Sequence, residues 1–536
     1  MKKYVKLFAV LQSLSRSEMS ELGRFLPALY SSKKHKSLRL FELLSPEYPN
    51  FSDQSPCLRL EQMCQLLDVN ESQLNYVVSD LVEMIEDYLS YKVFSETKKY
   101  NNVFLLEAYE KRGLTKYLLA TLRQLNNDLT AQKIPADKRL LHRYWYAETT
   151  AHYTDDSQET EKQAALTQMF DALDNWHNYQ LLTASATLLN DQLFKRCDFT
   201  FPEKIFSIVA QIGKQAQPNP VLSIYTRIFR LLSLQQELNT YYETHRRQAK
   251  LAKLIASQPD EATTMDTNPA IEAVNKQQSE IFTDLLRLIQ AQATTQDDPP
   301  TLADLREWYQ YALNFCYLKT NESRHEYILE IFDLYEILIH KQLLLNEHNE
   351  IDSEQYRNII KINIQLRRFD FAERFLTEYR RYLPENERND AHQYALALLY
   401  FGRGNYDEVL SYLRRLKFSD ISYKIDIDTL EIRCYYEKNL DSLLDAKMSA
   451  FALFLGKNKK IAPTLQTPYK RFIELVKRLW HMRQELDSLR YREIPRRATP
   501  QNIAQLQQDI EQFVGKKSWL YEKTQILSDR LPKKID

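Results

Sequence analysis

Residues 396–413 read LALLYFGRGNYDEVLSYL. Apolar side chains recur at helical spacing on either side of Gly402-Arg403-Gly404-Asn405, so the stretch reads as helix, turn, helix. Leu396, Ala397, Tyr400, Gly404 and Tyr406 alternate large and small residues. A small residue lets two helices cross closely, and an aromatic one plugs the gap to the next pair. The pattern recurs. Arg368-Phe369-Asp370-Phe371-Ala372 aligns with Asn405-Tyr406-Asp407-Glu408-Val409 at an offset of 37 residues, and Ala372, Leu376, Tyr379 and Pro384 complete the earlier unit. A degraded third unit falls near Leu440.

Outward from this repeat, composition points the same way. Only 7 of 536 residues are glycine, against roughly 7% in ordinary chains. No G-x-G-x-x-G and no phosphate-binding loop can be assembled from them, and a fold rich in hairpins is excluded. With 44% hydrophobic residues the chain can still bury a large core. From about residue 101 it reads as antiparallel helix pairs, with turns at Gly113, Pro135, 154–159, Pro202 and Pro218. Ser257–Pro269 and Ala291–Pro300 read as loops. One segment disagrees: Ile421 to Asp428 alternates apolar and polar as a strand would. Without a partner strand, its later part is expected to be helical, with room for an extended start.

The N-terminal stretch opens with the capping-box pattern Ser15-x-x-Glu18. A helix around 38–44 is stopped by Pro46, and helices near 56–67 and 71–92 follow, the latter capped by Asn70. The expected organisation is an all-α chain. It comprises an N-terminal helical module (1–98), divergent helix pairs (99–300), repeats (301–456) and a basic C-terminal cap (457–536).

Charge and motifs restrict function. Lys plus Arg equals Asp plus Glu at 72 each, so the whole-chain field selects neither polyanions nor membranes. Five scattered cysteines with no C-x-x-C suit a reducing compartment. No secretory h-region or ~20-residue apolar span is present, and a cytoplasmic location is expected. Residues 60–89 have helix-turn-helix spacing with Gln73, Asn75 and Tyr76 as would-be base readers. Yet 61–91 carries seven acidic residues and no Lys or Arg, which argues against DNA. Glu83, Glu86 and Asp87 read as a solvated face or a patch for a basic partner. Glu322-x-x-His325 stands alone at an expected helix start, where a di-iron site needs two such motifs. No nucleophile elbow, metal set or cofactor loop emerges, and an enzyme is not expected.

Between Lys457 and Arg497 twelve basic residues face four acidic ones, among them Lys470, Arg471, Lys477, Arg478 and Arg483. Interleaved Tyr469, Phe472, Trp480 and Tyr491 suit base stacking if exposed. The alternatives are aromatics packed on the preceding repeat with the charges solvated, or an acidic protein surface.

The large/small spacing over 368–413 resembles the tetratricopeptide repeat (TPR), although Val409 stands where Ala is preferred and Ile421 where Pro is common. The chain is also similar to an uncharacterised family of long all-helical bacterial proteins. That likeness rests on Leu14–Leu29 with 40–44, Leu173–Asn190, Ala312–Cys316, Leu396–Leu413 and Trp519–Lys523. The resemblance implies a TPR-like α-solenoid with a distinct N-terminal module, and carries no activity with it. The function expected is that of a non-catalytic scaffold holding a peptide or helix of an unknown partner in a groove. The first helices of the repeats offer Tyr309, Asn314, Tyr317, Asn358, Lys361, Asn363, Tyr394 and Leu398 for contact. The alternative is a nucleic-acid-associated regulator using the basic segment.

Overall fold

A computed structural model describes residues 4–30, 34–49, 51, 59–96, 102–131, 134–153, 159–195, 204–215, 218–255, 269–295, 299–322, 324–416, 421–458, 461, 463–488, 496–511, 513 and 517–531. Over these the chain is all-α, with 23 α-helices and a single isolated β-bridge, Leu345 to Ile351. It divides into two compact units, 1–176 and 177–536. Among the described residues no helix is long and apolar enough to cross a membrane.

The first unit contains α1 (Val5–Ser13), α2 (Arg16–Tyr30), α3 (His35–Leu44), α4 (Leu60–Leu67), α5 (Glu71–Glu96), α6 (Asn102–Glu110), α7 (Thr115–Ala131), α8 (Ala136–Tyr153) and the start of α9 (Glu159–Lys195). The Ser15 box forms as expected: Ser15 N donates to Glu18 Oε2 at 2.7 Å, and Glu18 N to Ser15 Oγ at 3.2 Å. Asn70 and Gln73 do the same for α5, at 3.0 and 2.8 Å. Two otherwise orphaned amides are satisfied at each start. The helix stopped by Pro46 ends at Leu44, followed by a 3₁₀ turn over Ser45–Glu47. α1, α2 and α3 lay Leu11, Leu22, Leu26 and Leu40 onto Leu74, Leu81 and Ile85 of α5, all fully buried.

The second unit continues with α10 (Lys204–Ile212), α11 (Pro220–Ile255), α12 (Pro269–Thr294), α13 (Leu302–Asn321), α14 (Tyr327–His340), α15 (Ser353–Gln365), α16 (Phe369–Tyr379), α17 (Arg388–Gly402), α18 (Tyr406–Leu413), α19 (Ile421–Glu437), α20 (Asp441–Lys457), α21 (Pro463–Ser488), α22 (Pro500–Glu511) and α23 (Ser518–Asp529). From α11 onward each helix packs on the next. α11 on α13, α15 on α17 and α21 on α23 add contacts one helix further on.

Six helix stops share one construction. At Gly404 (φ 79°) the residue is left-handed, its N–H reaches Phe401 O at 3.1 Å, and Asn405 N reaches Tyr400 O at 2.9 Å. This is the Schellman closure of a helix end. The same pair of bonds closes α14 at Gln342 (φ 55°), α15 at Arg367 (φ 56°) and α19 at Asn439 (φ 56°). It also closes α4 at Asp68 and α6 at Gly113. Only two of these six stops use glycine, so the low glycine content did not reveal them.

Close crossing falls at Gly402 rather than Gly404. A Cβ on Gly402 would lie 2.4 Å from Ile364 Cγ2 and 3.1 Å from Phe369 Cε1, whereas Gly404 has nothing within 4 Å. The strand-like segment is helical from Ile421. Its alternation arises because α19 is buried on two sides. Ile425, Ile432 and Tyr436 enter the C-terminal core, while Tyr423, Ile427, Leu430 and Cys434 pack towards α17 and α18.

Candidate functional site

Polar side chains converge along α9, α13, α15, α17 and α19. Gln355 Nε2 donates to Gln310 Oε1 at 2.7 Å, Gln310 Nε2 to Asn314 Oδ1 at 2.8 Å, and Asn314 Nδ2 to Asn190 Oδ1 at 3.0 Å. This chain of four amides is part-buried and runs across three helices.

Beyond it lies a charged cluster. Arg357 is 9% exposed; its guanidinium stacks 4.2 Å from the Tyr423 ring centroid and its Nε donates to Ser353 O. Asp426 Oδ2 sits 3.6 Å from Arg357 Nη1 and 3.9 Å from Lys361 Nζ. Arg433, two turns along α19 from Asp426, has its Cζ 5.5 Å from the rings of both Phe472 and Trp519. Burial lowers the pKa of Arg433, because desolvation penalises the charged form. Tyr394 lies among these groups, with the Arg357 Cζ 5.9 Å from its ring. Burial first, then the Asp426 charge, hold its hydroxyl well above the ordinary phenol range.

The eight residues expected to meet a partner separate into two sets. Tyr309 (0% exposed), Asn363 (2%) and Tyr394 (2%) are packed inside, where a partner cannot touch them without displacing neighbours. Asn363 donates to Ile359 O within its own helix. Asn314, Tyr317, Asn358, Lys361 and Leu398 are half-buried. Tyr317 shares a 2.9 Å hydroxyl contact with Tyr335, and Leu398 rests on the core formed with Val409 and Leu410. Lys361 and Tyr394 are the two drawn into the charged cluster. Arg357, Asp426 and Arg433, which complete it, were not singled out in the sequence. The only sequence signals were the basic pair 357/361 at i, i+4 and the acid–base pair 426/433 at i, i+7.

The basic segment is largely spent internally. Arg471 reaches Glu474 at 3.0 Å and Asp509 at 3.3 Å, and Arg478 pairs with Asp509. Arg483 is 7% exposed, donates to Tyr436 O and to Asp441 at 3.0 Å, and stacks on Tyr436. Lys470 is exposed beside Gln466, and Lys477 is half-buried. Phe472 is buried and Trp480 donates its Nε1–H to Asp441 at 2.8 Å, so neither presents a face for a base.

The acidic face of α5 is likewise balanced within the chain. Lys34 pairs with Glu83 at 2.5 Å and Asp80 at 3.5 Å, Lys6 with Glu86 at 2.7 Å, and Tyr30 donates to Asp87. Of the would-be base readers, Gln73 caps its own helix, Asn75 accepts from Tyr4 and only Tyr76 stands free of such a contact in solvent. Glu322 lies at the C-terminal end of α13 rather than at a helix start, paired with Lys319 at 3.0 Å. Among the described residues no group of three or more His, Cys, Asp and Glu could hold a metal ion. No family model, curated protein or solved structure matches this chain.

Proposed function

We propose that the helix pairs of the second unit form a TPR-like α-solenoid acting as a non-catalytic scaffold. Its α13/α15/α17/α19 face would hold an extended or helical segment of a partner protein. One observation carries this reading: a part-buried amide chain links Asn190, Asn314, Gln310 and Gln355 across three helices and ends on α15, the helix that also carries Arg357 and Lys361. Each amide in that chain uses part of its donor and acceptor capacity on its neighbours and keeps the rest for a peptide backbone. Recurrent Schellman stops after α14, α15, α17 and α19 support a repeated pair. The free thiols of Cys64, Cys316 and Cys434 suit a cytoplasmic setting. Nucleic-acid binding through 457–497 is the weaker reading, because Arg471, Arg478 and Arg483 already have partners.

The test is affinity purification of the native protein, then quantitative rebinding of the identified partner to two variants. Asn358→Trp places a bulky ring midway between Gln355 and Lys361 on α15. Lys470→Glu reverses an exposed charge of the basic segment. Loss with Asn358→Trp alone supports the groove, whereas loss with Lys470→Glu alone transfers binding to the C-terminal segment.

A further inference from the structure

A cavity of about 790 Å³ lies between α12 and α14. Its lining follows α12 from Glu272 to Gln290, about 27 Å at 1.5 Å per residue, and meets the first turn of α14 opposite. The mean section of this trough is therefore about 29 Å². A helix 10–12 Å across needs roughly 100 Å². An extended chain, at sheet spacings of about 4.8 by 10 Å, needs about 48 Å². A trough open along one side can hold more than half of the second and little of the first.

The wall on α12 suits an extended chain. Asn275, Ser279 and Thr283 follow at four-residue steps, about 6.0 Å along the axis, close to the roughly 6.7 Å of two extended residues. Asn275 accepts from Lys319 Nζ at 3.1 Å and keeps its amide hydrogens to donate. Thr283 donates to Ser279 O at 2.9 Å and keeps its hydroxyl lone pairs. Ser279 is exposed beside the Tyr327 hydroxyl. The buried rings of Phe282 and Tyr327, 6.0 Å between centroids, make an apolar floor. An extended chain turns every second side chain onto such a floor.

Charge narrows the choice of chain. Of the lining cations, Arg287 lies 3.6 Å from Asp284, Lys319 3.0 Å from Glu322 and Arg324 3.6 Å from Glu326. Glu272 and Lys276 offset each other at i, i+4 on α12. Glu330, exposed on α14, is left over. Among the described residues no cation acts on it; desolvation first, then Asp333 one turn on, raise its pKa.

We infer that the α12–α14 trough binds an extended segment of a partner protein. Its backbone would bond to Asn275, Ser279 and Thr283, alternate apolar side chains would rest on Phe282 and Tyr327, and a lysine or arginine would meet Glu330. None of these residues belongs to the amide chain or the Arg357 cluster, so the site stands or falls separately from the groove proposed above.

About eight extended residues span the trough. Selection of random octapeptides displayed on phage against the full chain, then fluorescence polarisation of the enriched peptides, tests the inference. Enriched sequences are expected to carry Lys or Arg at one fixed position and apolar residues at alternate positions. Glu330→Lys should weaken their binding about tenfold or more. A fresh selection on that variant should replace the basic residue by Asp or Glu, a reversal that misfolding cannot produce. Thr283→Trp, at an exposed position, fills the trough and should abolish binding, while Asn358→Trp should leave it unchanged.

No enrichment on the wild-type chain, the same consensus on Glu330→Lys, or binding lost with Asn358→Trp rather than Thr283→Trp overturns the inference. Apolar residues enriched at i, i+3 and i+4 make the ligand a helix and overturn it likewise. Self-association in sedimentation that Thr283→Trp removes assigns the trough to a second copy of this chain in place of the peptide.

Discussion

Gly402→Ala is the sharpest test of how the helix pairs are stacked. Its new Cβ would sit 2.4 Å from Ile364 Cγ2, inside the closest approach that real methyl groups show, and a tight 3.1 Å from Phe369 Cε1. Overpacking of this kind costs about 1–3 kcal/mol. Alanine returns at most about 1 kcal/mol through helix propensity, less here because residue 402 ends α17. The net expectation is destabilisation of about 1–2 kcal/mol, read from urea unfolding followed by far-ultraviolet circular dichroism. The cause is isolated in an Ile364→Ala background, which removes the colliding methyl. There the cost of Gly402→Ala should fall below about 0.5 kcal/mol, giving a coupling energy in the range seen for touching side chains. A neutral or stabilising Gly402→Ala, or an equal loss in both backgrounds, would refute the close crossing of α15 and α17.

Arg367→Gly and Asn439→Gly should each stabilise by about 0.5–1 kcal/mol, since both residues hold φ near 56° and a left-handed L-residue is strained; chemical denaturation of the single variants checks this, and a loss of stability would count against it. His142, 2% exposed, has its pKa lowered from 6.5 to about 4, burial being the larger cause and Lys138 the second. The unfolded chain therefore binds more protons between those values, so this contribution is complete above pH 6.5 and drains away as pH falls towards 4. That amounts to up to about 3 kcal/mol, visible in the emission of Trp145, which stacks on His142, and flattened by His142→Phe. Arg483→Glu should destabilise by about 3 kcal/mol by leaving Asp441 and the Tyr436 carbonyl facing a buried anion. Lys477→Glu on the same helix should change stability by less than about 0.5 kcal/mol; equal effects in thermal melts would show that the segment is not tied down as described.

What could be read in advance was whatever is written in side-chain type at fixed short spacing. Ser15 with Glu18, and Asn70 with Gln73, announce their caps because the bonding partners lie three residues apart. Arg367 and Asn439 announce nothing. Their left-handed geometry is imposed by the helix that must begin next, and no residue type advertises it. The alternation over 421–428 misled in an instructive way. A helix buried on two opposite sides places apolar residues outside one stripe, which imitates a strand over a few positions. Arg433 and Arg483 look alike as letters. Arg483 reaches a backbone carbonyl and a carboxylate while Arg433 lies over two rings, a difference set by residues 39 to 86 positions away. The half-exposed residues among those expected to meet a partner could be listed, but Tyr309, Asn363 and Tyr394 could not be told from them without the phase of each helix.

The stacking of each helix on its immediate successors bears on how the second unit comes off the ribosome. Contacts of short sequence separation need little loop closure, so α15 to α20 can consolidate pair by pair as they emerge. The tie between Asn314 and Asn190 is different, because it spans 124 residues. Until α13 has been synthesised, Asn190 lacks Asn314 as its partner. The arrival of Asn314 and Tyr311, the latter touching Thr187 across an equal interval, ties α13 back to α9.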